Sequence, residues 1–156
     1  MKTIGVRRSG ESLDEFDTMY RMEQLDEALA ASDVVVNILP LTEQTKELFD
    51  SGRFQAMKPE AIFINVGRGP TVRTDDLVAA LEQGQIAGAG LDVFDPEPLP
   101  QDHPLWSMEQ VIITPHIAGS NEHYTDRVLD IFLTNLKAYQ QGESLPINLV
   151  DYSNGY

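Results

Sequence analysis

The chain contains no cysteine and few basic residues: 11 lysines and arginines stand against 25 aspartates and glutamates, a net charge of −14 over 156 residues. Without cysteine, the chain cannot form disulfides, thiolate metal sites or a cysteine nucleophile. The excess of acidic side chains disfavours binding to nucleic acids or anionic membrane surfaces, because like charges repel. An anionic ligand would therefore need a local basic site.

Long apolar runs are also missing. No stretch approaches the roughly 20 apolar residues that a membrane-spanning helix needs. The first ten residues, MKTIGVRRSG, place charges close to a short apolar run and lack the hydrophobic segment of a secretory signal. We therefore expect a cytoplasmic protein that is large enough for one globular domain with a hydrophobic core.

The sequence does contain a series of short, β-rich apolar runs. They are TIGV (3–6), VVVNIL (34–39), AIFINV (61–66), IAGAGLDVF (86–94) and VIIT (111–114). Because these runs are continuous rather than alternating, they predict strands that are buried on both faces of a sheet. Helical patterns lie between several of them, so the sheet should be largely parallel.

Two of the helical patterns are short. Residues 23–32 place three apolar residues on one face, Leu25, Ala28 and Leu29. Residues 74–84 have Thr74 as the expected N-cap and Gly84 as a C-terminal stop.

A third, longer helix is predicted from about Ser120 to Gln141, with Gly142 ending it. Its apolar residues recur at helical spacing, at Val128, Ile131, Phe132, Leu136 and Tyr139. The following tail, ESLPINLVDYSNGY, is rich in apolar residues for a free end, which suggests that it docks onto another surface.

A doubly wound nucleotide-binding domain normally opens with a strand, the sequence G-x-G-x-x-G and a helix, because glycines let the backbone approach a pyrophosphate at the helix N-terminus. That sequence does not occur in the chain. We therefore predict an α/β fold: a partial doubly wound (Rossmann-type) parallel sheet that lacks its first βα unit, followed by a long C-terminal helix and a docking tail.

Three ionisable residues, Arg68, Glu97 and His116, stand at or just beyond the ends of three different predicted strands. Taken singly, each is an ordinary turn, loop or core residue, but in a parallel sheet the strand ends share one crevice. A carboxylate would fix the tautomer of the histidine and favour its protonated form, and an arginine could hold a carboxylate or polarise a carbonyl. With no cluster of metal ligands and no serine or cysteine nucleophile beside a base, hydride transfer with a bound cofactor fits best.

Four motifs, INVGRGPTV, GAGLDVFDPEPLP, HPLW and VIITPHIAG, occur in this order. Together they resemble the signatures of the D-isomer-specific 2-hydroxyacid dehydrogenase family, which includes glyoxylate/hydroxypyruvate reductases and phosphoglycerate dehydrogenases. The resemblance covers nearly the whole chain. It implies that Arg68 binds the carboxylate and carbonyl of a 2-oxo acid, and that His116 is the general acid in reduction and the base in oxidation, with Glu97 as its partner.

The same resemblance implies a set of cofactor contacts: Leu39, Pro40, Thr45, Val66, Gly67, Arg68, Asp92, His116 and Gly119. For Leu39, Pro40 and Asp92, strand-end packing or turn formation would also account for the residue type. No metal site is expected; a hydrolase using His103, His116 and His123 is a weak alternative, because their surroundings show no distinctive ligand spacing.

The residues after the first predicted strand address the choice of cofactor. Family members that prefer NAD resemble the general rule of an acidic residue at this position, which accepts hydrogen bonds from the ribose hydroxyls. Here the position is Arg7, followed by Arg8 and Ser9. Two arginines and a hydroxyl would bind a 2′-phosphate, so we expect NADP to be preferred over NAD. The alternative is that these residues form an ordinary solvated edge.

The resemblance also implies a division of the chain. Residues 1–119 would be the C-terminal portion of an NAD(P)-binding domain, and residues 120–156 a crossover helix and tail that pack on a substrate domain. We expect a homodimer in the full-length form, a small 2-oxo or 2-hydroxy acid as substrate, and a fragment that is inactive alone because its pyrophosphate cradle is absent. The rival hypothesis is a non-catalytic module that packs on a partner.

Overall fold

The computed structural model describes residues 1–152, which fall into two compact units. The first unit runs from Met1 to His116 and the second begins at Ile117. Residues 153–156, the end of the predicted docking tail, lie outside the described residues. The roles predicted for residues 1–119 and 120–156 remain predictions.

The first unit alternates strands and helices. Its strands are β1 (Ile4–Val6), β2 (Thr18–Tyr20), β3 (Val34–Asn37), β4 (Ile62–Asn65), β5 (Gly88–Leu91) and β6 (Val111–Ile113). Its α-helices are α1 (Leu25–Ala31), α2 (Ser51–Ala56) and α3 (Thr74–Glu82), and three 3-10 helices cover Met22–Gln24, Gly69–Thr71 and Pro104–Ser107. The second unit contains α4 (Tyr124–Gln140).

The predicted parallel sheet is confirmed. Strands β3, β4, β5 and β6 pair in that order, all parallel, and β1 and β2 form a separate parallel pair. The sequence patterns missed β2 and α2, because β2 has only three residues of mixed polarity and α2 only six. The start of α2 does carry a local signal, since the Asp50 carboxylate accepts a hydrogen bond from the Arg53 amide at 3.1 Å.

The core lies between one face of the four-stranded sheet and the first three α-helices. Phe63 and Ala89, which are partners in register, point into it and are 0% and 3% exposed. The helices contribute apolar side chains to the same cluster, including Leu25, Leu29, Phe54, Leu77 and Leu81. The predicted inward face of the first helix is therefore confirmed.

The prediction that the strands are buried on both faces is wrong for β3, β4 and β6, whereas in β5 the residues of the second face, Gly88 and Gly90, are buried and half-buried. The residues of the opposite face include Val36 and Ile112, which lie in one row across the sheet with Ile64 and Gly90 and are 53% and 71% exposed. The physical reason is that the described helices in the core cluster cover only the face that carries Phe63.

Several predicted boundaries also move. Thr74 is the first residue of α3 rather than its N-cap, which is Arg73; the Thr74 hydroxyl instead donates to the Asp95 carbonyl at 3.3 Å. Helix α4 begins at Tyr124, because the residues before it form turns, with the His123 amide bonded to the Asn121 side chain at 3.0 Å. The expected stops at Gly84 and Gly142 are confirmed, with φ of 65° and 72°.

Candidate active site

The predicted site residues follow three neighbouring strands at one edge of the sheet. Asn65, Leu91 and Ile113 are aligned in register at the ends of β4, β5 and β6. Arg68, Glu97 and His116 come three to six residues later on the respective loops. Because the strands are parallel, these loops emerge on the same side of the sheet.

The structure brings Glu97 and His116 together. Histidine Nδ1 lies 2.8 Å from Oε1 of the glutamate, and the histidine and glutamate side chains are 48% and 37% exposed. A carboxylate accepts the proton of Nδ1, so this contact leaves Nε2 as the nitrogen that can exchange a proton with a ligand. The backbone at His116 has φ of 53°, a left-handed conformation that is uncommon for non-glycine residues and clusters at functional sites.

Arg68 lies on the adjacent loop, with an exposed side chain and an extended backbone, φ −140° and ψ 139°. Its guanidinium Nη1 donates to the Gly67 carbonyl at 2.7 Å. Among the hydrogen bonds and ion pairs of residues 1–152, none joins the Arg68 side chain to the Glu97–His116 pair. Most of the guanidinium donors therefore remain available for an anion.

The glycines on either side of Arg68 are required by close backbone contacts. A Cβ at Gly67 would lie 2.7 Å from the Leu39 carbonyl oxygen, and a Cβ at Gly69 would lie 1.7 Å from that of Phe94. The arginine loop is thus packed between the loops that follow β3 and β5. These tight contacts are with the protein's own backbone.

Residues predicted to contact the cofactor lie on the same edge. Leu39 and Val66 are half-buried, Pro40 is exposed, and the Thr45 hydroxyl donates to the Pro40 carbonyl at 2.6 Å. Asp92 is 3% exposed and its carboxylate accepts a hydrogen bond from the Thr114 hydroxyl. The side chains of Thr45 and Asp92 therefore each hydrogen-bond to another residue at this edge of the sheet. Their predicted contact with a cofactor remains a prediction.

Arg7 and Ser9, at the loop after β1, share an anionic partner. The Arg7 guanidinium lies 3.3 Å from Oε2 of Glu11, and the Ser9 hydroxyl donates to the same oxygen at 3.2 Å. Arg8 is exposed on the same loop. Arg7 and Ser9 therefore bind a carboxylate of their own loop, and their predicted contact with a cofactor phosphate remains a prediction.

An apolar cleft of about 400 Å³ lies beside this loop, between β1 and β3. Its lining includes Ile4, Val6, Phe16, Met19, Val34 and Val36. Residues of both sheets line the cleft, and in the described chain the β1–β2 pair and the four-stranded sheet share no ladder of hydrogen bonds.

The remaining predicted residues are placed differently. Gly119 belongs to the second unit. His103 Nδ1 accepts a hydrogen bond from the Leu105 amide at 3.3 Å and so caps a 3-10 helix, and His123 Nδ1 lies 3.9 Å from the Asp126 carboxylate. Residues 1–152 contain no group of three or more histidine, aspartate or glutamate side chains arranged to hold a metal ion.

Sequence reasoning missed three buried polar residues under the arginine loop, Asn37, Asn65 and Thr71, which are 2%, 1% and 0% exposed. Their side chains hydrogen-bond to one another and to the backbone of Gly67 and Arg68. A signal was present, because the predicted runs VVVNIL and AIFINV each contain an asparagine in their second half, and these two asparagines are partners in register.

A parallel α/β sheet with acid–base and cationic residues on the loops after its strands is typical of doubly wound α/β proteins, which bind their ligands at that edge. The comparison with protein families gives the particular family. The chain belongs to the D-isomer specific 2-hydroxyacid dehydrogenases, whose NAD binding domain matches residues 1–118. The predicted family, its α/β fold and a nicotinamide dinucleotide-binding domain are therefore confirmed.

Similar proteins include two curated sequences. The "Uncharacterized protein in proB 3′region" of Corynebacterium melassecola is 45% identical over 156 residues, which are 100% of this chain and 51% of that protein. Glyoxylate/hydroxypyruvate reductase B of Citrobacter koseri is 50% identical over 119 residues, 76% of this chain and 36% of the relative. This chain thus spans about half or less of the curated relatives it matches.

A similar solved structure is a D-isomer specific 2-hydroxyacid dehydrogenase from Xanthobacter autotrophicus Py2, in complex with NADPH and MES. It is 39% identical, with a TM-score of 0.90 over 98% of this chain and 62% of the solved one.

Within residues 1–152, no helix has the length and hydrophobicity needed to cross a bilayer.

Proposed function

We propose that this chain carries the cofactor- and proton-handling part of an NAD(P)-dependent oxidoreductase that interconverts a 2-oxo acid and a D-2-hydroxy acid by hydride transfer. The observation that carries the proposal is the 2.8 Å contact between His116 and Glu97 at the C-terminal edge of the parallel sheet. The Citrobacter koseri relative is a glyoxylate/hydroxypyruvate reductase by name, so glyoxylate and hydroxypyruvate are the first substrates to test.

Each of the three residues has one role in this proposal. Glu97 holds the Nδ1 proton of His116, and Nε2 then gives a proton to the carbonyl oxygen in reduction or removes it in oxidation. Arg68 binds the substrate carboxylate through its free guanidinium donors. When bound, a reduced nicotinamide cofactor supplies the hydride to the carbonyl carbon, so the substrate gains one hydride and one proton while the cofactor is oxidised.

A chimera tests this function. The matched 119-residue segment of the Citrobacter koseri reductase is replaced by that of this chain, and reduction of glyoxylate and hydroxypyruvate is followed by NADPH absorbance. We expect turnover, and a loss of about 10²- to 10⁴-fold in kcat for His116→Gln. His103→Gln is the matched control, because His103 caps a 3-10 helix. A His116→Gln chimera that kept its activity would overturn the proposed role.

We further propose that NADPH is the favoured cofactor. Arg7 and Ser9 already hold one carboxylate, and the donors that bind it suit a phosphate as well. In the chimera, competing NADPH and NADH titrations should give the lower Kd for NADPH. Glu11→Gln should lower the Kd for NADPH without changing that for NADH, because it removes the competing anion. Equal affinity for the two cofactors would contradict the preference.

The proposal also concerns the activity of the isolated chain. We expect the isolated 156 residues to be inactive, so turnover of glyoxylate by this chain alone would refute that part. The exposed apolar residues of α4, such as Val128 and Phe132, support packing of the second unit on another surface. The same exposure supports the rival non-catalytic module, and an inactive chimera would favour it. A homodimer of the longer protein and a cytoplasmic location stay predictions.

A further inference from the structure

The arginine loop rests on a buried polar network. Asn37 Nδ2 donates to Asn65 Oδ1 at 3.0 Å and to Thr71 Oγ1 at 2.7 Å. Both donors of the Asn37 amide are therefore used. The side-chain oxygens are used as well, because Asn37 Oδ1 accepts from the Leu39 amide and Asn65 Oδ1 from the Gly67 amide, each at 3.1 Å.

The network converges on the main chain of Arg68. The Arg68 carbonyl accepts hydrogen bonds from the Thr71 hydroxyl at 2.6 Å, the Thr71 amide at 3.2 Å and the Asn65 side chain at 3.4 Å. None of the buried side-chain nitrogen and oxygen atoms in the described chain lacks a hydrogen-bond partner. A fully satisfied buried network favours one conformation, because breaking any bond leaves a polar atom without a partner.

The same network joins two loops that the proposed function uses separately. Asn37 ends β3 and holds the Leu39 amide, which begins the segment predicted to contact the cofactor. Asn65 ends β4 and holds the Gly67 amide next to the proposed substrate-binding arginine. The close backbone contact of Gly67 with Leu39 joins the loops a second time.

We propose that Asn37, Asn65 and Thr71 are positioning residues that set the direction of Arg68 and couple its loop to the Leu39–Pro40 segment. The guanidinium itself is exposed, so the rigidity of the site has to come from the buried backbone beneath it. The part that concerns substrate rests on the proposed function. The part that concerns loop coupling stands on the hydrogen bonds alone.

The test uses Thr71→Val, which removes the hydroxyl with little change of shape, and Thr71→Ser, which keeps the hydroxyl. Amide hydrogen exchange is measured by NMR on the 156-residue chain. Leu39 and Gly67 report on the network, and the Ala89 amide, bonded to the Gln110 carbonyl at 3.0 Å, reports on the sheet away from it. Leu105→Ala is the control for general destabilisation, because Leu105 is buried and contributes no side-chain hydrogen bond to the network.

Thr71→Val should speed exchange at Leu39 and Gly67 about tenfold relative to Ala89, the scale of one lost hydrogen bond, and Thr71→Ser should not. Leu39 is the more distant of the two readouts, because the hydrogen bonds that join Thr71 to its amide run through Asn37. Unchanged protection at Leu39 and Gly67 in Thr71→Val, or the same selective loss in Leu105→Ala, would overturn the coupling. If Thr71→Val does not fold, Thr71→Ala replaces it, since that change removes the hydroxyl without placing a methyl group against Asn37 and Arg68. Faster exchange at Leu39 and Gly67 is then expected, and unchanged exchange would overturn the coupling.

A glyoxylate titration of the chimera that carries the same Thr71 variants, followed at the Arg68 Nε resonance, separates this inference from the proposed function. Binding that weakens about tenfold in Thr71→Val and recovers in Thr71→Ser supports positioning of the arginine. Equal binding by all variants overturns it. If the chimera with the unmodified Thr71 does not bind glyoxylate at Arg68, the substrate part fails together with the proposed role of Arg68, and the exchange result alone decides the coupling.

Discussion

The two faces of the four-stranded sheet carry similar residue types but differ in burial. On one face, Phe63 is fully buried beneath three helices and contacts two other aromatic rings, Phe49 and Phe54, at centroid distances of 5.0 and 5.4 Å. On the other face, Ile112 is 71% exposed. An apolar sequence therefore indicates that a strand can be buried. Whether a given face of that strand is buried depends on the elements that pack on it.

The largest difference between the faces should appear on truncation of one side chain on each. Phe63→Ala should lower the free energy of unfolding by about 3–5 kcal/mol, because it opens a cavity in a packed cluster. Ile112→Ala, the matched change on the open face, should cost less than about 1 kcal/mol. Denaturant titrations of both variants measure the difference. Equal costs would show that the open face is covered in solution.

A polar substitution on the open face tests whether its exposed apolar side chains cause self-association. Ile112→Thr keeps a β-branched side chain, so the free energy of unfolding should change by only about 0.5 kcal/mol. Self-association and binding of a hydrophobic dye should fall, because an exposed apolar patch drives both. Sedimentation velocity and dye fluorescence provide the readouts. A variant that associates as strongly as the unmodified chain would show that this face does not mediate self-association.

Sequence patterns located the four-stranded sheet because continuous apolar runs of about four to nine residues, separated by helical patterns, are typical of the strands of a parallel sheet. They did not find β2 or α2, whose three and six residues are too short to show a period. Burial on both faces could not be judged from the runs, because VVVN has the same pattern whether a second layer packs on it or not. That layer is a property of tertiary structure.

The candidate site, too, was predicted only in part from the sequence. Arg68, Glu97 and His116 were found because strand ends of a parallel sheet converge, and the Glu97–His116 contact could be anticipated from charge. The supporting network was not found, since Asn37 and Asn65 are 28 positions apart and their contact depends on the register of β3 against β4. Nor did the pattern RRSGE indicate that Glu11 would hold both Arg7 and Ser9.

The smallest expected effect concerns the β1–β2 pair, which lies outside both faces. The pKa of the Asp17 carboxyl is lowered from its ordinary value of 3.8, because the Thr3 amide and then the Thr3 hydroxyl donate to it, at 2.7 and 2.9 Å. A lowered folded pKa means that this contact stabilises the pair above about pH 3.8 and that the contribution is lost as the pH falls through the lower folded value. The carboxyl is exposed, so the change should stay local.

Exchange of the Thr3 amide should accelerate, relative to that of Ala89 on the covered face, as the pH falls below the folded pKa of Asp17. Asp17→Asn should remove this pH dependence. A titration in which Ala89 responded equally would mean that the pair and the covered face unfold together, which their separate ladders argue against.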